Sequence, residues 1–196
     1  MFNSHIKALI EKLCILPGVG EKTAERYAFG LVKMDINKQK TLGTLIHTLD
    51  ENIHYCPECQ NFSDEHICEI CENTERNQTI LCIVETPFDV LAIEKTSVFK
   101  GKYHVLHGIL SPIDGVRPDN LKIKELMIRL QEHPVNEIIF ALSPSLEGDA
   151  TMNYIKKELP GTIQCSHIAR GIPTGASIEY ADHLTLIHAF QDRQAN

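Results

Sequence analysis

Two closely spaced pairs of cysteines constrain the fold of this chain more than any other feature. The first pair, Cys56 and Cys59, reads C-P-E-C; after eight intervening residues the second pair, Cys68 and Cys71, reads C-E-I-C. Each pair places two thiolates on one tight turn, and two facing turns supply the four soft, tetrahedral ligands that zinc prefers. Four thiolates saturate the metal, so we expect one structural zinc ion per chain.

Disulfides and unliganded thiols are the alternatives to zinc, and the gap between the pairs is shorter than in common zinc ribbons. The N-terminal segment does not read as an export signal, because lysines interrupt its apolar residues, which recur at helical spacing. A cytosolic chain keeps its thiols reduced, which disfavours a disulfide framework. We therefore expect zinc binding and a cytoplasmic location.

The composition is that of an ordinary globular protein. Of the 196 residues, 43% are hydrophobic and 23% are charged. No apolar run approaches the roughly 18 residues that a membrane span needs. The composition also excludes collagen and low-complexity disorder.

The charge is unevenly distributed along the chain. Residues 1–41 carry seven Lys or Arg against four acids, a balance of +3. Because the whole chain has a net charge of −7, the remaining 155 residues carry −10. An acidic protein with a basic end can still meet a polyanion locally, although such differences also arise by chance.

Hydrophobic periodicity divides the chain into a helical front and an alternating back. In front, Ser4 is expected to cap a helix that runs to about Leu13, and apolar spacing predicts an amphipathic helix from near Asn37 to Ile53. Behind the cysteines, apolar runs predict strands buried on both faces at 80–84, 103–106, 137–142 and 162–169. Helical stretches alternate with them at 87–95, 121–132 and 149–159. This alternation predicts a parallel sheet with crossover helices. For residues 180–191 the sequence allows either a terminal helix or a strand-turn-helix.

A glycine-containing turn joins two predicted helices in the front. Leu16-Pro-Gly18-Val-Gly20 is followed at once by a helix that carries Lys22 and Arg26 four residues apart. Two glycines two apart let the backbone turn sharply and present its N–H groups at a helix N-terminus, which suits a phosphate oxygen and reads no base. This segment resembles a helix-hairpin-helix DNA-binding motif. An ordinary αα-hairpin is the alternative, and a P-loop fits less well because no strand precedes the turn.

Two strand ends in the back carry acidic residues. Glu85 ends the first predicted strand, in the position where open parallel sheets place ligands, although a local capping role is an equal alternative. The loop from Ser143 to Asp149 follows another strand. Together these segments resemble a Toprim domain, in which a strand-end Glu and a later Asp-x-Asp hold magnesium. Here Ser143 and Ser145 occupy the Asp-x-Asp positions, and hydroxyls are poor magnesium ligands, so a scaffold is expected instead of a catalyst.

The order of these parts resembles the bacterial RecR family of recombination mediators over nearly the whole chain. The resemblance is carried by the hairpin, the four cysteines and four further segments: L-S-P-I-D-G at 110–115, E-G-D-A at 147–150, A-R-G-I-P at 169–173 and E-Y-A-D at 179–182. The chain departs from the family pattern at Ala176 and Ser177, where the family usually has Gly-Asp.

The resemblance implies an α+β multi-module chain. Its parts are a helical helix-hairpin-helix region (1–54), a four-cysteine zinc finger (55–77), an α/β Toprim domain with a mainly parallel sheet (78–173) and a C-terminal oligomerisation segment (174–196). The resemblance also assigns roles to residues. It implies DNA binding by Lys22, Arg26, Gly18 and Gly20, and zinc binding by Cys56, Cys59, Cys68 and Cys71. It further implies partner or ion binding by an acidic cluster of Glu85, Glu147 and Asp149.

The function that the resemblance implies is non-enzymatic DNA repair at the nucleoid. The protein would assemble as a dimer or tetramer ring, bind double- and single-stranded DNA with little sequence preference, and act with RecO and RecF to load recombinase at single-strand gaps. A small Toprim nuclease or primase-like enzyme, using Glu85, Asp114, Glu147 and Asp149 as its metal ligands, is the alternative from another class. A third hypothesis is a protein-interaction adaptor whose hairpin touches no DNA.

Overall fold

A computed structural model describes residues 3–193. The chain divides after Asn52 into two compact units, the first helical and the second mixed. Within residues 3–193, no helix combines the length and the apolar character needed to cross a membrane.

The first unit is built from helices α1 (Ser4–Leu13), α2 (Glu21–Lys33), α3 (Ile36–His47) and α4 (Leu49–Asn52). Its core is small: Ile10, Ala24 and Ala28 are buried where α1 meets α2. The expected cap at Ser4 is wrong by one residue. Asn3 is the N-cap of α1, and its side chain accepts a hydrogen bond from the His5 amide at 2.8 Å.

The amphipathic helix expected to run to Ile53 is interrupted. Asp35 caps α3 by accepting from the amides of Asn37 and Lys38, so the helix starts one residue before the predicted position. It ends at His47, because Thr48 leaves the helical region with φ −95° and ψ 8°. No residue of α3 or α4 is buried, so the apolar face that the pattern predicts is exposed in this chain.

The second unit begins with the cysteine-bearing segment. Strands β1 (His54–Tyr55) and β2 (Phe62–Ser63) pair antiparallel, and the short helix α5 (Glu69–Glu72) follows them. The four cysteines lie around these elements as a separate buried cluster.

The rest of the second unit is a four-stranded parallel sheet. Its strands are β3 (Ile80–Val84), β4 (Lys102–Val105), β5 (Glu137–Ala141) and β6 (Gln164–His167), in the order β4-β3-β5-β6. The helices are α6 (Pro87–Glu94), α7 (Ile123–Glu132), α8 (Leu146–Glu158) and α9 (His183–Gln191), and 3₁₀ turns lie at Pro118–Asn120 and Ile178–Tyr180. The parallel sheet is confirmed, and 180–191 forms the terminal helix α9 after a 3₁₀ turn.

The sheet buries apolar residues on both faces. Leu81 and Ile83 belong to the larger core, with Leu126 of α7 and Ile155 of α8. Cys82 and Val84 point to the other face, with Val90 of α6. The expectation of burial on both faces is wrong for β6, whose residues are half-buried or exposed. Both β4 and β6 are edge strands, but β4 is fully buried and its open edge is contacted by the cysteine-bearing segment.

Candidate functional site

The turn between α1 and α2 has the geometry that its glycines predict. Gly18 has φ +75°, in the left-handed region that favours glycine. The Val19 amide donates to the Leu16 carbonyl at 3.1 Å, which closes the turn. Gly20 is the N-cap of α2 and supplies no side-chain cap. The first amides of α2 are therefore available to an acceptor outside the chain, such as a phosphate oxygen.

Both predicted basic residues lie on the exposed side of α2. Lys22 and Arg26 are exposed and one helical turn apart, whereas Ala24 and Ala28 are fully buried. The Arg26 guanidinium lies 5.7 Å from the centroid of the Tyr27 ring. Neither basic residue takes part in an ion pair with the residues that the structure describes.

The four cysteines converge in the second unit. All four Sγ atoms lie within 4.8 Å of one another, and Cys59 and Cys68 are 3.5 Å apart. A tetrahedral zinc site with Zn–S bonds of about 2.3 Å separates its sulfur atoms by about 3.8 Å, whereas a disulfide needs about 2.05 Å. All four cysteines are buried and none forms a disulfide. The geometry therefore fits zinc.

The four thiols are close enough that each changes the pKa of the others. Hydrogen bonds from Cys59, Cys68 and Cys71 lower the pKa of Cys56 far below its ordinary value. The hydrogen bond with Cys56 in turn raises the pKa of Cys71. Four thiolates can coexist at this spacing only around a positive charge, which a bound zinc ion would supply. The fit supports a closed structural site with no position for substrate.

The predicted acidic residues lie at the carboxyl end of the sheet, and two of them are engaged by other groups of this chain. Glu85 follows β3, and its carboxylate accepts a hydrogen bond from the Ser143 amide. Asp149 pairs with Arg170 at 2.5 Å, and the hydrogen bond from this guanidinium lowers the pKa of Asp149 below its ordinary range.

The loop after β5 differs from the expectation that α8 begins at Asp149. The helix begins at Leu146, because Ser145 caps it by accepting from the Gly148 amide at 3.1 Å. Glu147 and Asp149 therefore lie in the first turn of α8, where carboxylates are stabilised by the helix dipole. Asp114 accepts a hydrogen bond from the Ser111 hydroxyl at 2.6 Å. Across residues 3–193, the four cysteines form the one group of three or more acidic, His or Cys ligands within coordinating reach.

Sequence reasoning missed two residues that organise these regions. Arg170 lies in the A-R-G-I-P segment, but nothing in the sequence indicates its pairing with Asp149, 21 residues earlier. Lys102 is buried at the start of β4 and donates to carbonyls about 30 residues earlier in the chain. A lysine beginning an apolar run was the available signal, and lysine is rarely buried without partners.

Comparison with known proteins covers almost every part of the chain. Residues 6–49 match the RecR helix-hairpin-helix family, 53–73 the RecR four-cysteine zinc finger domain, 79–169 the Toprim domain and 171–194 the RecR C-terminal family. The chain is 43% identical over 196 residues to the "Recombination protein RecR" of Thermobifida fusca (strain YX), covering 100% of this chain and 98% of the relative. The protein of the same name from Anaeromyxobacter dehalogenans (strain 2CP-C) is 43% identical over 190 residues, covering 96% of each chain.

The chain belongs to the RecR family. The helical hairpin, the zinc finger and the Toprim domain predicted from the sequence are all confirmed as parts of this family, in the predicted order. Membership in RecR, together with the helix-hairpin-helix region, supports DNA binding by this protein. The zinc-finger match and the cysteine geometry together support a structural zinc.

Proposed function

We propose that this protein is a non-enzymatic DNA-repair mediator that assembles as a ring-like clamp on DNA and acts with RecO and RecF to load recombinase at single-strand gaps. The protein is proposed to act in the cytoplasm, at the nucleoid. The observation that carries this proposal is the α1–α2 turn, whose uncapped helix N-terminus and exposed basic residues suit a phosphate backbone.

DNA contact is assigned to Lys22 and Arg26 with the backbone of Gly18 and Gly20. Lys22 and Arg26 occupy one exposed face of α2, so both can reach the same strand. Phosphate contacts position a protein on DNA without reading sequence, so little sequence preference is expected. The duplex and single strands both offer this backbone.

The non-enzymatic part of the proposal rests on how the Toprim side chains are used. Ser143 and Ser145 stand where catalytic members have aspartates, and Ser145 instead caps α8. The carboxylates of Glu85 and Asp149 hold a backbone amide and a guanidinium of the same chain. The acidic cluster of Glu85, Glu147 and Asp149 is therefore proposed as a surface for partner or ion binding, not for metal-dependent cleavage.

Assembly is supported by apolar side chains that this single chain leaves exposed. In the C-terminal segment, Tyr180 is 84% exposed and Phe190 is 66% exposed. In the first unit, Leu45 and Ile46 of α3 are exposed by more than half. Each segment carries several exposed apolar side chains, and exposed apolar surface that exceeds scattered single residues marks interaction sites. These segments are proposed as contacts between copies of the chain in a dimer or tetramer ring.

DNA affinity at low salt tests the hairpin assignment. Lys22→Ala and Arg26→Ala are expected to weaken binding of duplex and single strands without changing zinc content. Lys157→Ala, an exposed lysine of α8 in the second unit, removes the same charge and serves as the matched control. Equal affinity of all three variants and the unaltered protein would show that the hairpin is not the DNA surface.

Strand cleavage and primer synthesis test the non-enzymatic assignment. We expect neither activity with magnesium or manganese, and Glu85→Ala is expected to leave DNA affinity unchanged. Metal-dependent nicking that disappears in Glu85→Ala would instead establish the Toprim nuclease.

A further inference from the structure

Lys102 is a buried cation that links the central sheet to the zinc finger. It is the first residue of β4, an edge strand, and only 2% of its surface is exposed. Its ammonium donates three hydrogen bonds to backbone carbonyls: Ile70 at 2.7 Å, Cys71 at 2.8 Å and Asn73 at 2.8 Å. A lysine has three N–H donors, so every donor has a partner.

The three acceptors belong to the turn that carries the second cysteine pair. Helix α5 spans Glu69–Glu72, contains Cys71 and starts directly after Cys68, which makes no side-chain cap. The last carbonyls of a helix lack partners within the helix, and in a helix of one turn this affects nearly all of them. Lys102 satisfies the carbonyls of Ile70 and Cys71 in this helix and that of Asn73 just after it, so its ammonium lies directly against the backbone of Cys71.

The same stretch of chain also holds the first cysteine pair. The Val105 amide donates to the Cys59 carbonyl at 2.8 Å. The His107 ring nitrogen Nε2 lies 2.6 Å from the Gln60 carbonyl. Residues 102–107 therefore contact both C-x-x-C turns, and these contacts cover part of the open edge of β4. Unpaired edges are otherwise open to association with other chains.

We infer that Lys102 is a positioning residue for the zinc ion and that zinc loading in turn orders the edge strand β4. Residues 102–107 contact both cysteine turns through the protein alone. With the metal bound, the two turns form one rigid cover over this edge. The inference concerns the zinc site alone, so its outcome is independent of the DNA-binding proposal.

The first test is zinc affinity, measured by competition with a chromogenic chelator. Lys102→Met keeps the length of the side chain and removes all three donors, so zinc affinity is expected to fall by about 10- to 100-fold, as for other groups that orient metal ligands. Lys100→Met, an exposed lysine two residues earlier, is the matched control and is expected to bind zinc normally. Equal zinc affinities of the two variants would overturn the inference.

Cobalt substitution separates positioning from general stability. Co²⁺ in a tetrahedral four-thiolate site gives strong visible absorption, and we expect Lys102→Met to change the intensity and shape of these bands even at saturating cobalt. A spectrum identical to that of Lys100→Met at saturation would show that the thiolates are arranged normally without Lys102, which contradicts a positioning role.

Hydrogen exchange of the unaltered protein keeps the inference testable even where Lys102→Met fails to fold. Removing zinc with a chelator is expected to lower the protection of amides in residues 102–107 by about tenfold or more, and that of β5 by much less. Unchanged protection in 102–107 would overturn the inference. A uniform loss over all four strands would overturn it too, because zinc would then act on the whole unit and not through β4.

Discussion

His104 is an ionisable residue that the fold keeps neutral. It lies in β4 with none of its surface exposed, and its Nε2 is 2.7 Å from the Lys122 carbonyl. Its Nδ1 is buried without a partner among the residues that the structure describes. Burial lowers the pKa of His104 to about 4, and the nearby Arg129 charge acts in the same direction.

This depressed pKa predicts a loss of stability in mild acid. The unfolded chain takes up the proton near pH 6.5, whereas the folded chain takes it up only near pH 4. The contribution of His104 is therefore fully present above pH ~6.5 and decreases as the pH falls to about 4, by at most about 3 kcal/mol. His104→Gln keeps a donor for Lys122 and removes the titration, so its free energy of unfolding is expected to fall less between pH 7 and pH 4.5.

Chemical denaturation at several pH values measures this difference. His133→Gln, an exposed histidine of the same unit, is the control and is expected to follow the unaltered protein. Zinc content is measured at each pH for all three proteins, and the comparison is made where it is equal, so that the difference between variants reports His104. Parallel pH profiles for His104→Gln and His133→Gln would show that burial does not hold His104 neutral.

Replacing Gly148 by alanine is expected to destabilise the protein, whereas the same replacement in a helix usually stabilises it. Alanine normally stabilises a helix by about 0.5–1 kcal/mol relative to glycine. A Cβ on Gly148, however, would lie 2.1 Å from the Ser143 carbonyl oxygen, and backbone cannot move aside cheaply. Gly148→Ala is therefore expected to destabilise the second unit by about 1–3 kcal/mol. Gly161→Ala, with nothing within 4 Å, is the control in the same thermal unfolding experiment, and equal melting temperatures would refute the clash.

At the scale of elements, Thr151 connects α8 to the chain that follows β4. The residue is fully buried, and its hydroxyl accepts from the Leu110 amide at 2.8 Å and donates to the Glu147 carbonyl at 2.7 Å. Thr151→Val has the same shape but leaves the Leu110 amide without this partner. We expect a loss of about 1–3 kcal/mol in the free energy of unfolding.

Thr151→Ser separates the hydroxyl from the methyl group. It keeps both hydrogen bonds and loses one methyl, so its loss in denaturant unfolding is expected to stay near 1 kcal/mol. A valine variant at least as stable as the serine variant would mean that the hydroxyl does not hold these elements together.

The elements that the sequence predicted well are those whose signals are local. β3 runs over 80–84 as predicted, because a continuous apolar run is bounded by polar residues. Helix α6 begins at the predicted Pro87, because Thr86 and Asp89 form a capping box before it. The end of α3 and the exposure of β6 were not predictable in this way. The first depends on one residue leaving the helical region, and the second on which edge of the sheet other parts of the chain cover, because the other edge strand, β4, is buried.

The same distinction applies to the candidate sites. Cysteine spacing alone predicts the zinc ligands, because each pair lies on one turn. The hairpin is equally local. By contrast, the partners of Glu85 and Lys102 are 58 and about 30 residues away in the chain, so their roles follow only from the packing of the second unit.

At the scale of the whole molecule, charge limits what one chain can do with DNA. Residues 1–41 carry +3 and the rest carry −10. One hairpin offers Lys22, Arg26 and a few amides, so a single subunit is expected to bind weakly. When several subunits present their hairpins to one DNA, later contacts become effectively intramolecular, and linked sites commonly gain about a hundredfold or more in avidity.

The salt dependence of DNA binding can therefore count the engaged subunits. Each lost phosphate contact on duplex DNA lowers the slope of log affinity against log salt by about 0.9. Lys22→Ala removes one contact from every subunit on the DNA, so the slope is expected to flatten by about 0.9 times their number. That number should match the oligomer size from light scattering.

A variant that does not assemble provides the comparison. Phe190→Glu places a charge on the exposed C-terminal segment, so assembly is expected to fail. Adding Lys22→Ala to this variant should then flatten the slope by only about one unit. Flattening by one unit in the assembled protein would mean that a single subunit holds the DNA, and undiminished affinity of a monomeric Phe190→Glu variant would remove the need for a ring.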